Sequence, residues 1–572
     1  MHSQSSRTYG YEQAAKMTRD YTAAEALALL QNMDSCDSDG GEVSIHLQES
    51  SDSDMSSDDE MCSGLESRTP LKKKGRLETQ PTQKDSKYET AKDGTVWVEE
   101  EVGRPLPHGQ LEGYKCDGEP TEEIRRTVKN RLQSFLLLMS WDILHTIRKC
   151  TVEHGRKMEA DWDMSVYELM AFISILLWRG VIRIPSLADA WSATLGISHV
   201  KSTMARNRFQ DIMRHLRFDD KDTRTQRVAT DKFAAVSNVW QMFVTNCIKS
   251  YNPGQHITVD EQLFPTKSRC PFQQYIASKP DKFGIKFWVA CDLKSKYMCN
   301  AIPYLGKDLS RPSGERLSEN VVMKLMEPFM DKGRTVTTDN YFTSLSLAGR
   351  LLSRKTTLVG TINKIRRELP QSAKQSSDRN EFTTQVFSTT GTTLTVYAPK
   401  RKKTVCILST MHNIVEIGDN RKRKPNTVTD YNTMKCGVDI MDQKVRQYTV
   451  RAGTRRWPVA VFYNMIDMAA MNAHVLYQAC TGVKERRVDF LAQLATELAK
   501  RFMQERMVDK EQLLRQQPAT PHPGKRAKCQ VTFQCKKNHA TLRCVDCYKY
   551  TCGKCRKETE WQCQICANRS HQ

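Results

Sequence analysis

Tyr431-Asn-Thr-Met-Lys-Cys-Gly-Val-Asp-Ile-Met-Asp-Gln443, followed by Arg455-Arg-Trp-Pro458 and an apolar run, carries the strongest chemical signal in the chain. Asp439 and Asp442 stand three residues apart, a spacing that puts both carboxylates on one helix face, close enough to share a divalent metal. Val438, Val445 and Tyr448, then Val459, Phe462, Ile466, Ala469, Ala473 and Leu476, recur at helical period, so these helices are expected to pack. The plain alternative is a polar first turn, where the helix dipole favours Asp.

Two upstream segments shift the balance toward chemistry. His256-Ile-Thr-Val-Asp260 and Arg334-Thr-Val-Thr-Thr-Asp339 both read as strands with a carboxylate at or near the end. Between them, Lys286-Phe-Trp-Val-Ala-Cys-Asp292 and Tyr297-Met-Cys-Asn-Ala-Ile-Pro-Tyr304 read as two more strands joined by a turn at Leu293–Lys296. Strand, hairpin, strand, helix and a late acidic helix is the order of an RNase H-like core, in which acids from adjacent strands and one helix meet. Such a site holds two hard cations, Mg²⁺ or Mn²⁺, on carboxylate oxygen and suits phosphodiester chemistry.

At this point the chain resembles the piggyBac-type DNA transposases. The resemblance rests on Val259-Asp-Glu-Gln262, Tyr275-Ile-Ala-Ser-Lys-Pro-Asp-Lys-Phe-Gly-Ile-Lys286, Tyr304-Leu-Gly-Lys307, Thr338-Asp-Asn-Tyr-Phe342, Val359-Gly-Thr-Ile362, Gly437-Val-Asp-Ile-Met-Asp-Gln443, Arg456-Trp-Pro458 and Asn472-Ala-His474. It implies catalytic acids at Asp260, Asp339 and Asp439, holding Mg²⁺ or Mn²⁺, with Asp442 assisting. It also implies nicking of transposon ends, a hairpin intermediate, joining to TTAA targets and a homodimer. The chain departs from the family at Lys435-Cys436-Gly437, where a second glycine is usual; a side chain there would strain a left-handed backbone.

Net charge is +21, yet residues 31–60 hold ten acids and no Lys or Arg, so the remainder carries +31. That surplus suits a polyanion, with nucleic acid the expected partner. The longest apolar run, Leu169 to Trp178, is too short to span a bilayer, and Met1-His-Ser-Gln-Ser-Ser lacks a signal pattern, so an intracellular protein without membrane contact is expected. Basic runs at 71–76 and 421–424 fit nuclear localisation signals.

Composition divides the chain into a disordered acidic region at 1–96 and a helical dimerisation and DNA-binding domain at 97–256, rejoined by about 496–517. The RNase H-like core is expected at 257–365 and 429–495, split by a β-rich basic insertion at 366–428, with a cysteine-rich module at 518–572. The fold class is thus multidomain α/β. Arg206 and Arg208 on a helix, Lys400-Arg-Lys-Lys403 in the insertion, and Arg455, Arg456 and Trp457 beside the acids are the candidate DNA contacts. For Trp457 two roles compete: filling the core, or stacking on an unpaired base.

The tail gives the strongest metal signal. Cys544–Cys547, Cys552–Cys555 and Cys563–Cys566 are three Cys-x-x-Cys pairs, and Cys529 with Cys535 forms a looser fourth. Eight thiolates fit two tetrahedral Zn²⁺ ions, which would supply the folding free energy of so short a segment. The resemblance implies a cross-brace, grouping Cys529, Cys535, Cys552 and Cys555 against Cys544, Cys547, Cys563 and Cys566, with His539 as an alternative ligand in the first set.

Overall fold

The computed structural model describes residues 46–47, 88–107, 112–184, 186–277, 279–306, 316–375, 379–516, 527–531, 535, 538–544, 547–556 and 563. The expected disorder of the acidic N-terminus therefore lies almost wholly outside the described residues, as does Cys566. The chain divides into two compact units, one of residues 1–143 and 218–485, the other of 144–217 and 486–572.

The first unit is built on a large mixed sheet. Its strands are β1 (Tyr88–Thr90), β2 (Val96–Glu100), β3 (His256–Pro265), β4 (Gln274–Tyr275), β5 (Phe283–Asp292), β6 (Met298–Pro303), β7 (Thr335–Thr338), β8 (Thr357–Thr361), β9 (Thr384–Thr389), β10 (Thr392–Lys400) and β11 (Lys403–Ser409). The order is β4-β5-β3-β7-β8-β11-β10-β9-β2-β1, with β6 paired to β5 and residues 46–47 added at the β4 edge. β3, β7 and β8 run parallel, whereas β5 lies antiparallel to β3. β5 is buried along nearly its whole length. Its near-continuous apolar run, rather than an alternation, is the pattern of a strand covered on both faces.

Residues 88–100 differ from the sequence expectation. They form two edge strands rather than a disordered tail or the start of a helical domain, because Trp97 is fully buried and its indole donates to the Glu368 carbonyl at 2.8 Å. The strands at 384–409 likewise continue the same sheet instead of forming a separate body.

Helices cover this sheet. Trp457–Thr481 is 25 residues long and apolar enough to cross a bilayer by length and composition, yet 89% of its apolar window is buried inside the unit. Its Asn472 amide completes the edge of β6, accepting from the Met298 N–H at 2.9 Å and donating to the Met298 carbonyl at 2.9 Å. The helices Arg131–Leu138 and Ser237–Ser250, expected with the helical domain, belong to this unit. Arg131–Leu138 packs on Trp457–Thr481, and Ser237–Ser250 packs on β6.

The second unit is centred on the helix Val166–Ile182, buried without interruption from Glu168 to Trp178, against which the helix Arg487–Gln516 lies. The Ser174 hydroxyl donates to the Ala495 carbonyl across that contact at 2.5 Å.

Candidate active site

The three strand and helix acids converge because of the register around β3. Thr338 at the end of β7 pairs with Val259, so Asp339 follows one step beyond, beside Asp260. The ladder with β7 stops there, and farther along β3 the Leu263 carbonyl accepts from Arg446 Nη2 at 2.9 Å. The Asp339 carboxylate accepts from the backbone N–H groups of Tyr341 at 3.0 Å and Phe342 at 3.4 Å, so a turn fixes its direction. Asp439 lies in the first turn of the helix Gly437–Gln447, which packs over β3 and β5.

A steric fit seats that helix. A β-carbon at Gly437 would stand 2.3 Å from the Thr258 hydroxyl oxygen, and that hydroxyl donates to the Met434 carbonyl at 2.8 Å. Cys436, whose side chain raised the question of strain, has φ −81 and ψ 6, a backbone open to any residue. The close approach falls on the glycine the chain retains.

Electrostatics mark the same place. Burial pushes the Asp260 carboxyl well above the usual carboxylate range, and Glu261, Asp339 and Asp439 push it the same way. Burial and Glu261 raise Asp339 to about 6, against the pull of the Tyr341 and Phe342 amides and of Lys286. Crowded carboxylates with too little positive charge are what a divalent cation would relieve, so the donor set fits Mg²⁺ or Mn²⁺. The acids are not drawn into a closed cage, however. Among the described residues, the groups of three or more candidate ligand atoms lying within 4.8 Å of one another are cysteine groups.

Asp442 is placed differently from Asp439. Its carboxylate accepts from Gln262 Nε2 at 3.0 Å and from Arg446 Nε at 2.8 Å. Gln262 in turn accepts from Asn464 Nδ2 at 2.9 Å. Asp442 is 17% exposed and Asp439 64%, so the two carboxylates, one turn apart, occupy different environments. Burial raises the Asp442 carboxyl, with Arg446 and Gln262 pulling it down.

Sequence reasoning gave no role to Glu261, Lys279 or Lys286. Lys279 Nζ lies 3.8 Å from Glu261 and 3.7 Å from Asp439. Burial works against its ammonium, but Glu261, Asp260, Asp439 and Asp442 outweigh it and raise the pKa. Lys286 is 1% exposed, with Nζ 3.8 Å from the Trp288 ring centroid, and burial lowers its pKa. A lysine within an otherwise buried strand was the available signal, since Lys is almost never fully buried without a partner.

The expected DNA contacts separate into two kinds. Lys400, Arg401, Lys402 and Lys403 form the exposed tip of the β10–β11 hairpin, where Lys402 takes φ 65. Arg206 and Arg455 are also exposed, and Arg456 occupies the position just before the helix Trp457–Thr481, without a side-chain bond to the helix's first turn. Arg208 is instead committed inside the second unit: it pairs with Glu168 through Nε and Nη2, both at 2.8 Å, and with Asp211 at 3.0 Å. Trp457 is half-buried, stacked on Phe233 at 5.6 Å and edge-on to Phe272 at 5.0 Å.

In the tail, Cys529, Cys535, Cys552 and Cys555 form one group of candidate ligands, and Cys544, Cys547 and Cys563 form another. Sulfur–sulfur distances of 3.3 Å for Cys555–Cys535 and 3.4 Å for Cys547–Cys563 are compatible with shared tetrahedral ions. His539 is in neither group; it lies in a short strand paired with Ala527–Lys528.

The large mixed sheet sets Asp260 on one strand and Asp339 just past the end of its neighbour, with Asp439 on a helix packed over the first of these strands, and comparison with known proteins gives the class of protein that carries this fold. A family model described as Transposase IS4 matches residues 131–474. Within that class the chain belongs to the piggyBac-type transposase family. Human PiggyBac transposable element-derived protein 3 is 21% identical over 469 residues, covering 77% of this chain and 75% of that protein. The human Chimeric ERCC6-PGBD3 protein is also 21% identical over 469 residues, which span 42% of its length. A piggyBac transposase solved by cryo-EM as a synaptic complex with hairpin DNA is 32% identical, with a TM-score of 0.68, covering 79% of this chain and all of that one.

Proposed function

We propose that this protein is a DNA transposase that cuts transposon ends and joins them to TTAA sites, and that Asp260, Asp339 and Asp439 hold its divalent metals in an RNase H-like core. The observation that supports the reading most is the electrostatic crowding of these acids: Asp260 is raised by burial, Glu261, Asp339 and Asp439, and Asp339 by burial and Glu261. When bound, two divalent ions activate a water or a 3′-hydroxyl and stabilise the leaving oxygen of a phosphodiester.

The chain's own residues supply position and charge. Backbone N–H groups of Tyr341 and Phe342 aim the Asp339 carboxylate. Asp442 acts through Arg446 and Gln262, tying the acidic helix to β3. Lys400, Arg401, Lys402, Lys403, Arg206 and Arg455 are exposed cations suited to phosphate. The cysteine groups suit two Zn²⁺ ions in a cross-brace that binds the terminal repeat. The proposal includes a homodimer acting in the nucleus.

The test is nicking of a duplex carrying the element's own terminal repeat, with Mg²⁺. Asp260→Asn and Asp339→Asn should abolish nicking while DNA binding survives; nicking at the wild-type level by either would falsify the assignment. A second reading is a DNA-binding protein descended from a transposase that no longer cuts. The ion pair of Asp439 with Lys279 favours it, and so does the absence of a closed acidic cage among the described residues. Intact DNA binding with no nicking by the wild type would select it.

A further inference from the structure

The acid cluster contains its own positive charge. Alternation along β3 turns Thr258, Asp260 and Gln262 toward the helix Gly437–Gln447, as the Thr258 and Gln262 contacts to that region show. Glu261 turns the other way, opposite Trp288 on β5, and Lys286 lies two residues before Trp288 on that same face. The Lys286 ammonium is 3.8 Å from the Trp288 ring centroid, 5.6 Å from that of Tyr341 and 5.9 Å from that of Tyr304. Trp288 and Tyr341 stack on each other at 5.6 Å, and Phe342 meets Trp288 edge-on at 5.2 Å. Tyr341 and Phe342 are the residues whose amides hold Asp339. One buried cation therefore sits on the aromatic floor under the Asp339 turn, on the Glu261 face of the sheet, where the charges of Glu261, Asp260 and Asp339 act on it.

We propose that Lys286, seated among Trp288, Tyr304 and Tyr341, is a built-in counter-cation and positioning residue: it holds the acid cluster together without metal and thereby weakens divalent-cation binding in the DNA-free protein. The charges support this role. Glu261, Asp260 and Asp439 act on Lys279, at the rim, and Glu261, Asp260 and Asp339 act on Lys286, in the interior. Lys279 is 21% exposed and reaches the cluster on a flexible stem, whereas Lys286 is 1% exposed and is held by rings on several sides. Charge fixed in a water-poor site repels an incoming cation far more than charge at the surface does. The inference rests on the metal reading proposed above.

The experiment is Mn²⁺ titration of the full-length protein without DNA, alongside thermal melting in chelator. Lys286→Met keeps the apolar stem and removes the charge. It should tighten Mn²⁺ binding on the order of tenfold or more and lower the melting temperature in chelator. Adding Glu261→Gln to Lys286→Met should return both quantities toward wild type, which a packing defect would not do. Glu261→Gln alone, which keeps Lys286, should weaken Mn²⁺ binding and raise the chelator melting temperature. Should Lys286→Met fail to fold, this second variant decides: unchanged binding and melting overturn the proposal. So does a folded Lys286→Met that binds Mn²⁺ no tighter than wild type. Wild-type protein with no Mn²⁺ site sensitive to Asp339→Asn overturns the metal reading itself, and this inference with it.

Discussion

Gly437 backs onto Thr258 so closely that a β-carbon at position 437 would stand 2.3 Å from the threonine hydroxyl. This contact sets how near the helix carrying Asp439 comes to the strand carrying Asp260. Gly437→Ala should push the helix away, lower stability by about 1–3 kcal/mol and impair nicking. The paired control is Thr258→Ala, which removes the obstructing atoms and should restore part of the loss in the double variant. No rescue in melting or nicking would show that the contact does not govern the site.

Asp339 gives a pH signature. Its folded-state pKa is raised to about 6 from 3.8, so between those values the folded chain holds a proton that the unfolded chain has released. Stability in chelator should therefore fall as pH rises through roughly 4 to 6, by about 1–3 kcal/mol, and level off above. Asp339→Asn should flatten this slope, and so should saturating Mn²⁺. Chemical denaturation across that window measures it; an unchanged slope in Asp339→Asn would refute the assignment.

Arg208 and the Lys400–Lys403 tip should behave as opposites. Arg208→Ala leaves Glu168, 12% exposed, without its bidentate partner, and should cost about 3 kcal/mol or more in melting experiments. Replacing Arg401 and Lys402 by Ala should leave melting unchanged. It should weaken DNA binding and reduce the salt dependence by about one logarithmic unit of slope per lost phosphate contact.

Trp457 stacks on Phe233 and meets Phe272 edge-on, so truncation opens a gap in an aromatic cluster. Trp457→Ala should lower stability by about 2–4 kcal/mol and reduce nicking and hairpin formation together. Selective loss of hairpin formation with an unchanged melting temperature would instead assign the ring to an unpaired base.

Zinc removal should act on the tail alone. Purified protein should carry about two Zn²⁺ per chain, and Cys544→Ser should release one while the sheet-bearing unit keeps its melting transition. Freshly purified protein without zinc would contradict the cysteine grouping.

Sequence by itself determined the elements whose signals are local. A strand through Asp260, a strand stopping just before Asp339, the hairpin between residues 286 and 304, the helix bearing Asp439 and Asp442 and the cysteine spacing all follow from periodicity and residue type, but the first strand runs on past Asp260 to Pro265 instead of ending there. Trp97 and its flanking valines carried a strand signal as well, masked by the polar composition around them. Tertiary structure alone decided what depends on pairing between distant segments. Asp439 and Asp442 share a helix; Arg446 on that helix pairs with Asp442, while the distant Gln262 holds Asp442 and the distant Lys279 approaches Asp439. Arg208 looks like any surface arginine until Glu168 meets it, 40 residues away in sequence. Lys286 reads as one more cation until Trp288, Tyr304 and Tyr341 close around it. Local propensity fixes which residues lie on a strand or helix; burial and charge arise from neighbours supplied by the rest of the chain, and those quantities set the chemistry of a site.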